Sequence, residues 1–455
     1  MFESKTSLCG ASDSVSADLD NAPPPVFRPI QYLGSKLRSL PTLLQATGDL
    51  FGPDDAVFDL FSGSSVVSQA FARSGASVRS VDALLFCQHL AGAMLGVGKS
   101  SNDDSCTAVA AEIVQALKNV TFPKEISAFL EQESKALSHG PTAELAHFYA
   151  RLPQAWRNPT GIVWLADAEK QEGKLGFDSV PIVASYYAGT YFGLYQALCC
   201  DYIRNEIERA SSRVSEWVRA GLLTSLYSAM SKAVCSAGKH FAQPLGKLQN
   251  ANPGFYHSRL SSDRRIDIAA AFLDAARNVD AASSNTPNQH IAIAAPVEDV
   301  YNTIRSSRPK LIYADPPYTA QQYSRFYHIL EVVADYRVPK LQMIGGKVTT
   351  GIYNEDRYKS DFSSKSKAKS AFAELITAAK DSGASLVMSY SSSGERSTGN
   401  ARMIGLDELI SLCNASYGVK KTRISLHDHV YRQFNATAYS NAHRNDPEIL
   451  IMCEA

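Results

Sequence analysis

The chain has 455 residues, of which 45% are hydrophobic and 20% are charged. This composition is typical of globular proteins and excludes the collagen-like, largely disordered and highly charged classes. Lysine and arginine (45) balance aspartate and glutamate (45), so the whole chain is not a polycation, and a nucleic acid would have to be bound by local basic patches. The length corresponds to about two or three domains.

The predicted elements begin after residues 1–26, which are rich in Ser, Asp and Pro and predict a flexible tail. A strand (AVFDLF), a turn (SGSS), a helix (VVSQAFARSG) and a second strand (SVRSVD) then follow one another within residues 27–100. This order is typical of one half of an open parallel sheet.

Helical spacing dominates residues 101–289, for example in CTAVAAEIVQALKNV, VASYYAGTYFGLYQALCCDYIRNEIER and AGLLTSLYSAMSKAVCSAG. Strands resume in residues 290–455 at HIAIAA, KLIYAD, ASLVMSYS and PEILIMC, with one helix that ends at Gly383. The predicted fold is therefore α/β, with one sheet built from residues 27–100 and 290–455 and split in sequence by a large, mainly helical insertion.

The N-terminus has neither the basic start nor the apolar stretch of a secretory signal, and no apolar run is long enough to span a membrane. We therefore expect a cytoplasmic protein with no membrane partner. The eight cysteines form no C-x-x-C pair, so no metal is expected. Cys199 and Cys200 lie in an apolar helical run and are interpreted as buried thiols.

The first chemically informative turn follows the strand AVFDLF. Gly63 allows the backbone to turn tightly and to approach a ligand, and the following helix offers free N–H groups. Asp82, at the end of the next strand, is placed to bind the two hydroxyls of a ribose. The dinucleotide fingerprint G-x-G-x-x-G is absent, so NAD and FAD are disfavoured.

The second turn is Asp315-Pro316-Pro317-Tyr318, which follows the strand KLIYAD. Two consecutive prolines exclude helix and sheet pairing and fix the chain in an extended turn. The Asp315 carboxylate and the Pro316 carbonyl can then accept hydrogen bonds from a single NH₂ group, with the Tyr318 ring beside them as a stacking face.

These motifs resemble the D12-class adenine-specific DNA methyltransferases, relatives of the Dam methylases. QYLGSK (31–36) is similar to their N-terminal cofactor motif, FDLFSGSS (58–65) to their glycine motif, Asp82 to their ribose-binding acid, and DPPY (315–318) to their catalytic tetrad. The order of the motifs is also that of the family, with a long intervening region before the tetrad.

The resemblance implies a Rossmann-like methyltransferase that uses S-adenosylmethionine to methylate adenine N6 in double-stranded DNA by base flipping. It implies a nucleoid-associated protein, and it leaves open whether a cognate restriction or defence-system partner accompanies it and whether it is a monomer or a dimer. Residues 101–289 become the candidate target-recognition region. The implied cofactor-binding residues are Tyr32, Gly34, Ser35, Lys36, Asp59, Phe61, Gly63, Ser64 and Asp82.

One departure from the family pattern is Ser65, which replaces the second glycine usual in F-x-G-x-G. Serine can still make the turn, so cofactor binding is expected. Three alternatives stay open for the substrate of such an enzyme, namely RNA adenine, cytosine N4 and a protein side-chain amide. A non-catalytic DNA-binding relative is a further alternative.

Two stretches carry an excess of cations, with seven against three carboxylates in residues 340–369 and six against two in residues 230–268. A charge run is usually a solvated face, but the loop-like surroundings also suit phosphate contacts. The candidate DNA contacts are Lys239, His240, Arg264, Arg265, Lys347 and Arg357. The aromatic residues of 186–195 have helical spacing and predict core packing instead of a base-stacking platform.

Overall fold

The computed structural model describes residues 26–157, 181–284, 289–391, 401–427, 430–431, 444–445 and 448–455. The predicted tail, apart from Val26, lies outside the described residues. No helix in the described ranges is both long enough and apolar enough to cross a membrane.

In chain order, the strands are β1 (Ala56–Leu60), β2 (Ser77–Asp82), β3 (Ile291–Ala294), β4 (Leu311–Ala314), β5 (Met343–Ile344), β6 (Lys347–Val348), β7 (Ser385–Ser391), β8 (Thr422–His427), β9 (Val430–Tyr431), β10 (Arg444–Asn445) and β11 (Glu448–Cys453). The helices are α1 (Leu40–Thr47), α2 (Val66–Arg73), α3 (Leu85–Leu95), α4 (Cys106–Leu117), α5 (Lys124–Ser138), α6 (Ala143–Arg151), α7 (Ile182–Tyr187), α8 (Leu194–Ala210), α9 (Glu216–Ala233), α10 (Leu248–Ala251), α11 (Pro253–Arg264), α12 (Ile268–Ala282), α13 (Tyr301–Ser307), α14 (Tyr323–Phe326), α15 (His328–Asp335), α16 (Ala368–Ser382) and α17 (Leu406–Tyr417).

Seven strands form one sheet in the order β3-β2-β1-β4-β7-β11-β8. Neighbouring strands from β3 to β7 are parallel, whereas β11 runs antiparallel to both β7 and β8. The chain builds outward from β1 through β2 to β3 on one side, and through β4 to β7 on the other. The order therefore reverses between β1 and β4, which is where open α/β sheets bind ligands beyond the carboxyl ends of their strands.

The central strands are buried on both faces, as parallel sheets usually are. Side chains alternate between the faces, so Val57 packs in one core with Phe71 of α2, while Phe58 packs in another with Phe372 of α16. These central strands agree with the predicted ones, and the mixed α/β class is confirmed. Strand β8 was not predicted, although TRISLH alternates polar and apolar residues; it lies at the edge of the sheet, where Ile424 and Leu426 are exposed.

Between β2 and β3, the described residues form helices α3 to α12. Helix α9 is buried on nearly all sides and packs against α12 and α3, so it forms the centre of this helical layer. The helical spacing of residues 183–209 belongs to two separate helices, α7 and α8. Gly189 takes a left-handed conformation (φ 77°) between them, and Ala188 forms a bridge with Phe192.

Buried carboxylates from distant elements cap several helices of this layer. Glu133 accepts hydrogen bonds from the Leu194 and Tyr195 N–H groups at the start of α8, and Asp201 accepts them from Val183 and Ala184 at the start of α7. Negative charge at a helix N-terminus is favourable, and it satisfies N–H groups that have no partner within the helix.

Candidate active site

The two predicted turns begin side by side. Leu60 of β1 pairs with Ala314 of β4, so the turns that follow these strands emerge together at the point where the strand order reverses. An ion pair joins the N-terminal motif to the tetrad, with Lys36 Nζ 3.0 Å from Asp315 Oδ2. The structure thus brings together the QYLGSK, FDLFSGSS and DPPY stretches, which are far apart in sequence.

The turn after β1 uses the left-handed region three times within five residues, at Phe61 (φ 63°), Gly63 (φ 51°) and Ser65 (φ 59°). A Cβ atom placed on Gly63 would lie 2.6 Å from Tyr32 Cε1, so only glycine fits there. Ser65 adopts the left-handed conformation that the family's second glycine would favour, and its N–H donates to the Ser62 carbonyl (2.8 Å). The substitution therefore leaves the turn formed.

Asp82 fixes this turn from the neighbouring strand. Its Oδ2 accepts a hydrogen bond from the Gly63 N–H (3.0 Å), and its Oδ1 accepts one from the Leu84 N–H (3.0 Å). Burial raises the pKa of the Asp82 carboxyl, and the hydrogen bonds oppose that shift. Each carboxylate oxygen has two lone pairs, so Asp82 has the capacity to accept further hydrogen bonds from a ligand.

Asp59, predicted to contact a cofactor, lies beneath the turn and is only 1% exposed. Its Oδ2 accepts a hydrogen bond from Ser68 Oγ (2.5 Å), and Ser68 in turn contacts Ser80 Oγ (2.9 Å). Burial raises the pKa of Asp59 to about 7, and the nearby Asp315 and Asp82 carboxylates add to the shift. Asp59 is placed to support the turn from below.

The N-terminal motif packs against the glycine turn. The Tyr32 ring stacks on Tyr327 with ring centroids 4.7 Å apart and on Tyr323 with centroids 5.8 Å apart. Gly34 has a left-handed φ of 72°. The Ser35 hydroxyl is buried and has no hydrogen-bond partner among the described residues, which marks a polar position that a ligand could satisfy.

In the tetrad, Pro316 is buried while Asp315 and Tyr318 are partly exposed. The Arg402 guanidinium lies 4.6 Å from the centroid of the Tyr318 ring, and the Tyr390 ring lies 5.3 Å from it. Arg402 is itself fixed by hydrogen bonds from Nε and Nη2 to Ser391 at the end of β7 (both 2.8 Å). The Tyr318 ring is thus held in place at the edge of the sheet.

An open cleft of about 660 Å³, counted out to its mouth, lies between the two turns. Of the predicted site residues, those that line it are Tyr32, Phe61, Asp82, Asp315 and Pro317. Sequence reasoning missed most of the remaining lining, which comprises Leu33, Val81, Ala83, Leu84, Ala295, Val297, Gln322, Tyr323, Ser324, Tyr358 and Ser360. Gly34, Ser35, Lys36, Gly63 and Ser64 are not among the lining residues, but each lies within three residues of Leu33 or Phe61, which are.

Two of the six candidate DNA contacts are core residues, contrary to the expectation of a basic surface patch. His240 is 1% exposed and packs edge-on against Phe326, with ring centroids 4.9 Å apart. Arg264 is 4% exposed, donates from Nη1 to the Tyr191 carbonyl (2.8 Å) and lies over the Tyr149 ring. Both side chains are buried in the core, so neither can meet a phosphate in this conformation.

The other four candidate DNA contacts differ in how many hydrogen bonds and ion pairs they form within the protein. Lys239 Nζ lies 2.8 Å from Asp263 Oδ1 and also donates to the Lys232 and Val234 carbonyls, and Arg265 donates to the Leu137 carbonyl. Arg357 donates to Gln342 Oε1 (3.1 Å), and burial lowers its pKa. Lys347 is exposed on the β5–β6 hairpin.

Three further predictions concern the cysteine pair, the aromatic stretch of residues 186–195 and metal binding. Cys199 and Cys200 are buried, as predicted. The aromatic stretch is mainly core, with Tyr187, Tyr191 and Phe192 fully buried, although Tyr195 is half exposed. Within the described ranges, no cluster of His, Cys, Asp or Glu could hold a metal ion.

Comparison with known proteins identifies methyltransferase relatives. Over 430 residues, which are 92% of this chain, the sequence is 23% identical to the Type II methyltransferase M.FokI of Planomicrobium okeanokoites. It is 32% identical over 97 residues to the modification methylase StsI of Streptococcus sanguinis, and 34% identical over 109 residues to the modification methylase LlaI of Lactococcus lactis subsp. lactis. These two matches cover 21% and 24% of this chain.

The chain covers 55% of the length of M.FokI, 14% of StsI and 15% of LlaI. It therefore spans about half of the first relative and a smaller part of the others. No family model matches the sequence. No solved structure matches it either.

Proposed function

We propose that the protein is an S-adenosylmethionine-dependent methyltransferase that modifies adenine N6 in double-stranded DNA. The observation that carries this proposal is the meeting of the glycine turn, Asp82 and the DPPY turn at one cleft, where the strand order of the sheet reverses. The relatives support a DNA-modifying methyltransferase. The choice of adenine N6 and of the D12 class depends on the tetrad and on the order of the motifs.

The residues around the cleft fit the cofactor. Asp82 would accept hydrogen bonds from the ribose hydroxyls, and Phe61 and Val297 offer apolar walls for a flat base. The buried Ser35 hydroxyl has no partner among the described residues and would meet a polar group of the methionine moiety. When bound, S-adenosylmethionine supplies an electrophilic methyl group on a sulfonium centre.

Asp315 and Pro316 would act on the target nitrogen. The lone pair of adenine N6 is delocalised into the ring, so this nitrogen is a poor nucleophile. Hydrogen bonds from its two protons to the Asp315 carboxylate and the Pro316 carbonyl favour a pyramidal nitrogen with a localised lone pair. Lys36, 3.0 Å from Asp315, favours the ionised carboxylate that this role requires.

The target base must leave the duplex to reach this cleft. Unstacking a base requires a few kcal/mol, and an aromatic stacking face can offset part of it. Tyr318 would provide that face, with Arg402 and Tyr390 holding its ring.

The helical layer between β2 and β3 is proposed as the region that recognises the DNA sequence. A cytoplasmic location, association with the nucleoid and a cognate restriction or defence-system partner are further parts of the proposal.

The test is transfer of a labelled methyl group to duplex DNA, RNA and protein in parallel, with nucleoside analysis of the product. We expect N6-methyladenine in duplex DNA. Asp315→Ala should lower the rate by at least ~100-fold, the scale for losing one preorganised polar group. Asp381→Ala is the control, because Asp381 lies in a half-exposed surface ion pair with Arg305. Label in cytosine, RNA or protein, or full activity of Asp315→Ala, would contradict the proposal.

A further inference from the structure

The helical segment that begins five residues after the tetrad presents three polar side chains at intervals of four residues: Tyr323, Tyr327 and Glu331. Tyr323 opens α14, Tyr327 separates α14 from α15, and Glu331 lies in the first turn of α15. Tyr323 and Tyr327 contact the N-terminal motif, and Glu331 contacts the start of α3, which follows Asp82.

Tyr327 holds the N-terminal motif. Its hydroxyl accepts a hydrogen bond from the Leu33 N–H (2.7 Å) and lies 3.3 Å from the Gln31 carbonyl, to which it donates. Its ring lies flat on Tyr32, with an angle of 2° between the ring planes. Tyr32 in turn occupies the space against Gly63. One side chain thus fixes the backbone of the motif and, through Tyr32, the position of the glycine turn.

Glu331 fixes the second cofactor-binding stretch, at the start of α3. Its two carboxylate oxygens accept hydrogen bonds from the Leu85 N–H (3.0 Å) and the Phe86 N–H (3.2 Å) at the start of α3, 246 and 245 residues away in sequence. The preceding residue, Leu84, donates to Asp82. Two carboxylates therefore share the N-terminus of α3, one facing the cleft and one behind it.

We propose that Tyr327 and Glu331 are positioning residues that set the geometry of the cofactor cleft from the tetrad side. The inference rests on the proposed function, because it assigns these residues to the same site. Neither residue lines the cleft, so each acts through another residue: Tyr327 through Tyr32 and Leu33, and Glu331 through the N-terminus of α3 and hence Asp82. The segment that leaves the catalytic turn thereby also determines where the methyl donor binds.

The test uses two variants that keep shape and remove hydrogen bonds. Tyr327→Phe keeps the stacked ring and loses only the hydroxyl contacts. Glu331→Gln keeps the volume, but its single oxygen can accept only one of the two N–H bonds at best. At about 1 kcal/mol for each hydrogen bond, we expect S-adenosylmethionine to bind up to about 30-fold more weakly to Tyr327→Phe, which loses two contacts, and about fivefold more weakly to Glu331→Gln, which loses one. The KM for the cofactor should rise accordingly, while kcat at saturating cofactor changes less than twofold.

The same fold offers matched controls away from the cleft. Tyr336 donates from its hydroxyl to Asp201 Oδ1 (2.8 Å), and Asp201 accepts hydrogen bonds from the Val183 N–H (2.9 Å) and Ala184 N–H (2.8 Å) at the start of α7. Tyr336→Phe and Asp201→Asn therefore remove the same kinds of bond from the helical layer. They should lower the unfolding temperature by similar amounts and leave cofactor affinity unchanged.

Calorimetric titration with S-adenosylmethionine, together with the unfolding temperature of each variant, separates the outcomes. Folded Tyr327→Phe and Glu331→Gln with wild-type affinity would overturn the positioning role and leave the proposed function intact. An equal loss of affinity in the controls would overturn it as well, since the effect would then follow general stability. Failure of the wild-type protein to bind the cofactor would overturn both proposals.

Discussion

Gly63→Ala and Ser65→Gly alter the same turn. We expect the first to weaken cofactor binding strongly and the second to leave it nearly unchanged. Both positions have left-handed backbones, with φ of 51° and 59°. An alanine at Gly63 would hold its Cβ 2.6 Å from Tyr32 Cε1 and 2.7 Å from Tyr32 Cζ, far inside the usual carbon–carbon contact of about 3.5–4.0 Å. Tyr32 cannot move aside without giving up its stack on Tyr327.

The expected loss can be worked out from these contacts. A left-handed alanine costs roughly 1–2 kcal/mol, and a disrupted aromatic pair costs about 0.5–1.5 kcal/mol more. If the turn moves to relieve the overlap, the hydrogen bond from the Gly63 N–H to Asp82 is lost as well, at about 1 kcal/mol. Gly63→Ala should therefore weaken cofactor binding by about 30-fold or more, since about 1.4 kcal/mol corresponds to tenfold.

Ser65→Gly should behave differently. Glycine adopts the left-handed conformation without the steric penalty that serine carries, and the Ser65 hydroxyl makes only a long 3.5 Å contact with Gln69 Nε2. We expect cofactor affinity within about threefold of the wild type and an unfolding free energy within about 1 kcal/mol of it. Calorimetry with S-adenosylmethionine and thermal unfolding measure both. Wild-type affinity in folded Gly63→Ala would refute the role of the turn.

Three further results are expected. Tyr318→Ala should lower methyl transfer by the loss of ~1–3 kcal/mol of base stacking, whereas Tyr318→Trp should retain more activity; equal rates for both would argue against stacking. Burial raises the pKa of Asp201 to about 7, so this group stabilises the fold most below about pH 4, and that contribution is lost as the pH rises through 7. Denaturant unfolding of Asp201→Asn should accordingly show a flatter decline between pH 4 and 7, and a pH profile parallel to the wild type would contradict the assigned shift. Finally, Lys347→Gln should weaken DNA binding and reduce the slope of log K against log salt by about 0.9, while an unchanged slope would place this lysine away from phosphates.

Site residues could be predicted from the sequence where a residue with useful chemistry lies at the end of an apolar strand or in the turn that follows it. Gly63, Asp82 and Asp315 were predicted from turns that follow apolar strands, and the structure places all three at the point where the strand order reverses. The reason is general, because the carboxyl ends of parallel strands meet at one edge of a sheet. Local sequence patterns were therefore sufficient to predict where these three residues lie in the sheet.

Contacts between distant segments could not be predicted in this way. Glu331 caps α3 from 246 residues away, and no local signal distinguishes it from a surface glutamate. The burial of Arg264 could not be predicted for the same reason. Its charge suggested an exposed residue, but in the core it donates hydrogen bonds to carbonyls 73 and 74 residues away in sequence. Burial of a charged side chain depends on partners that only the folded chain supplies.

The position of β11 has a consequence for how the protein is made. This strand is synthesised after every other strand of the sheet, yet it lies between β7 and β8 and forms hydrogen bonds with both. Until it emerges from the ribosome, one edge of β7 has unpaired backbone groups, and β8, which pairs only with β11 in the described sheet, cannot join the sheet. A ribosome that stalls shortly before residues 448–453 would therefore leave a nascent chain in which the edge of β7 is open to aggregation.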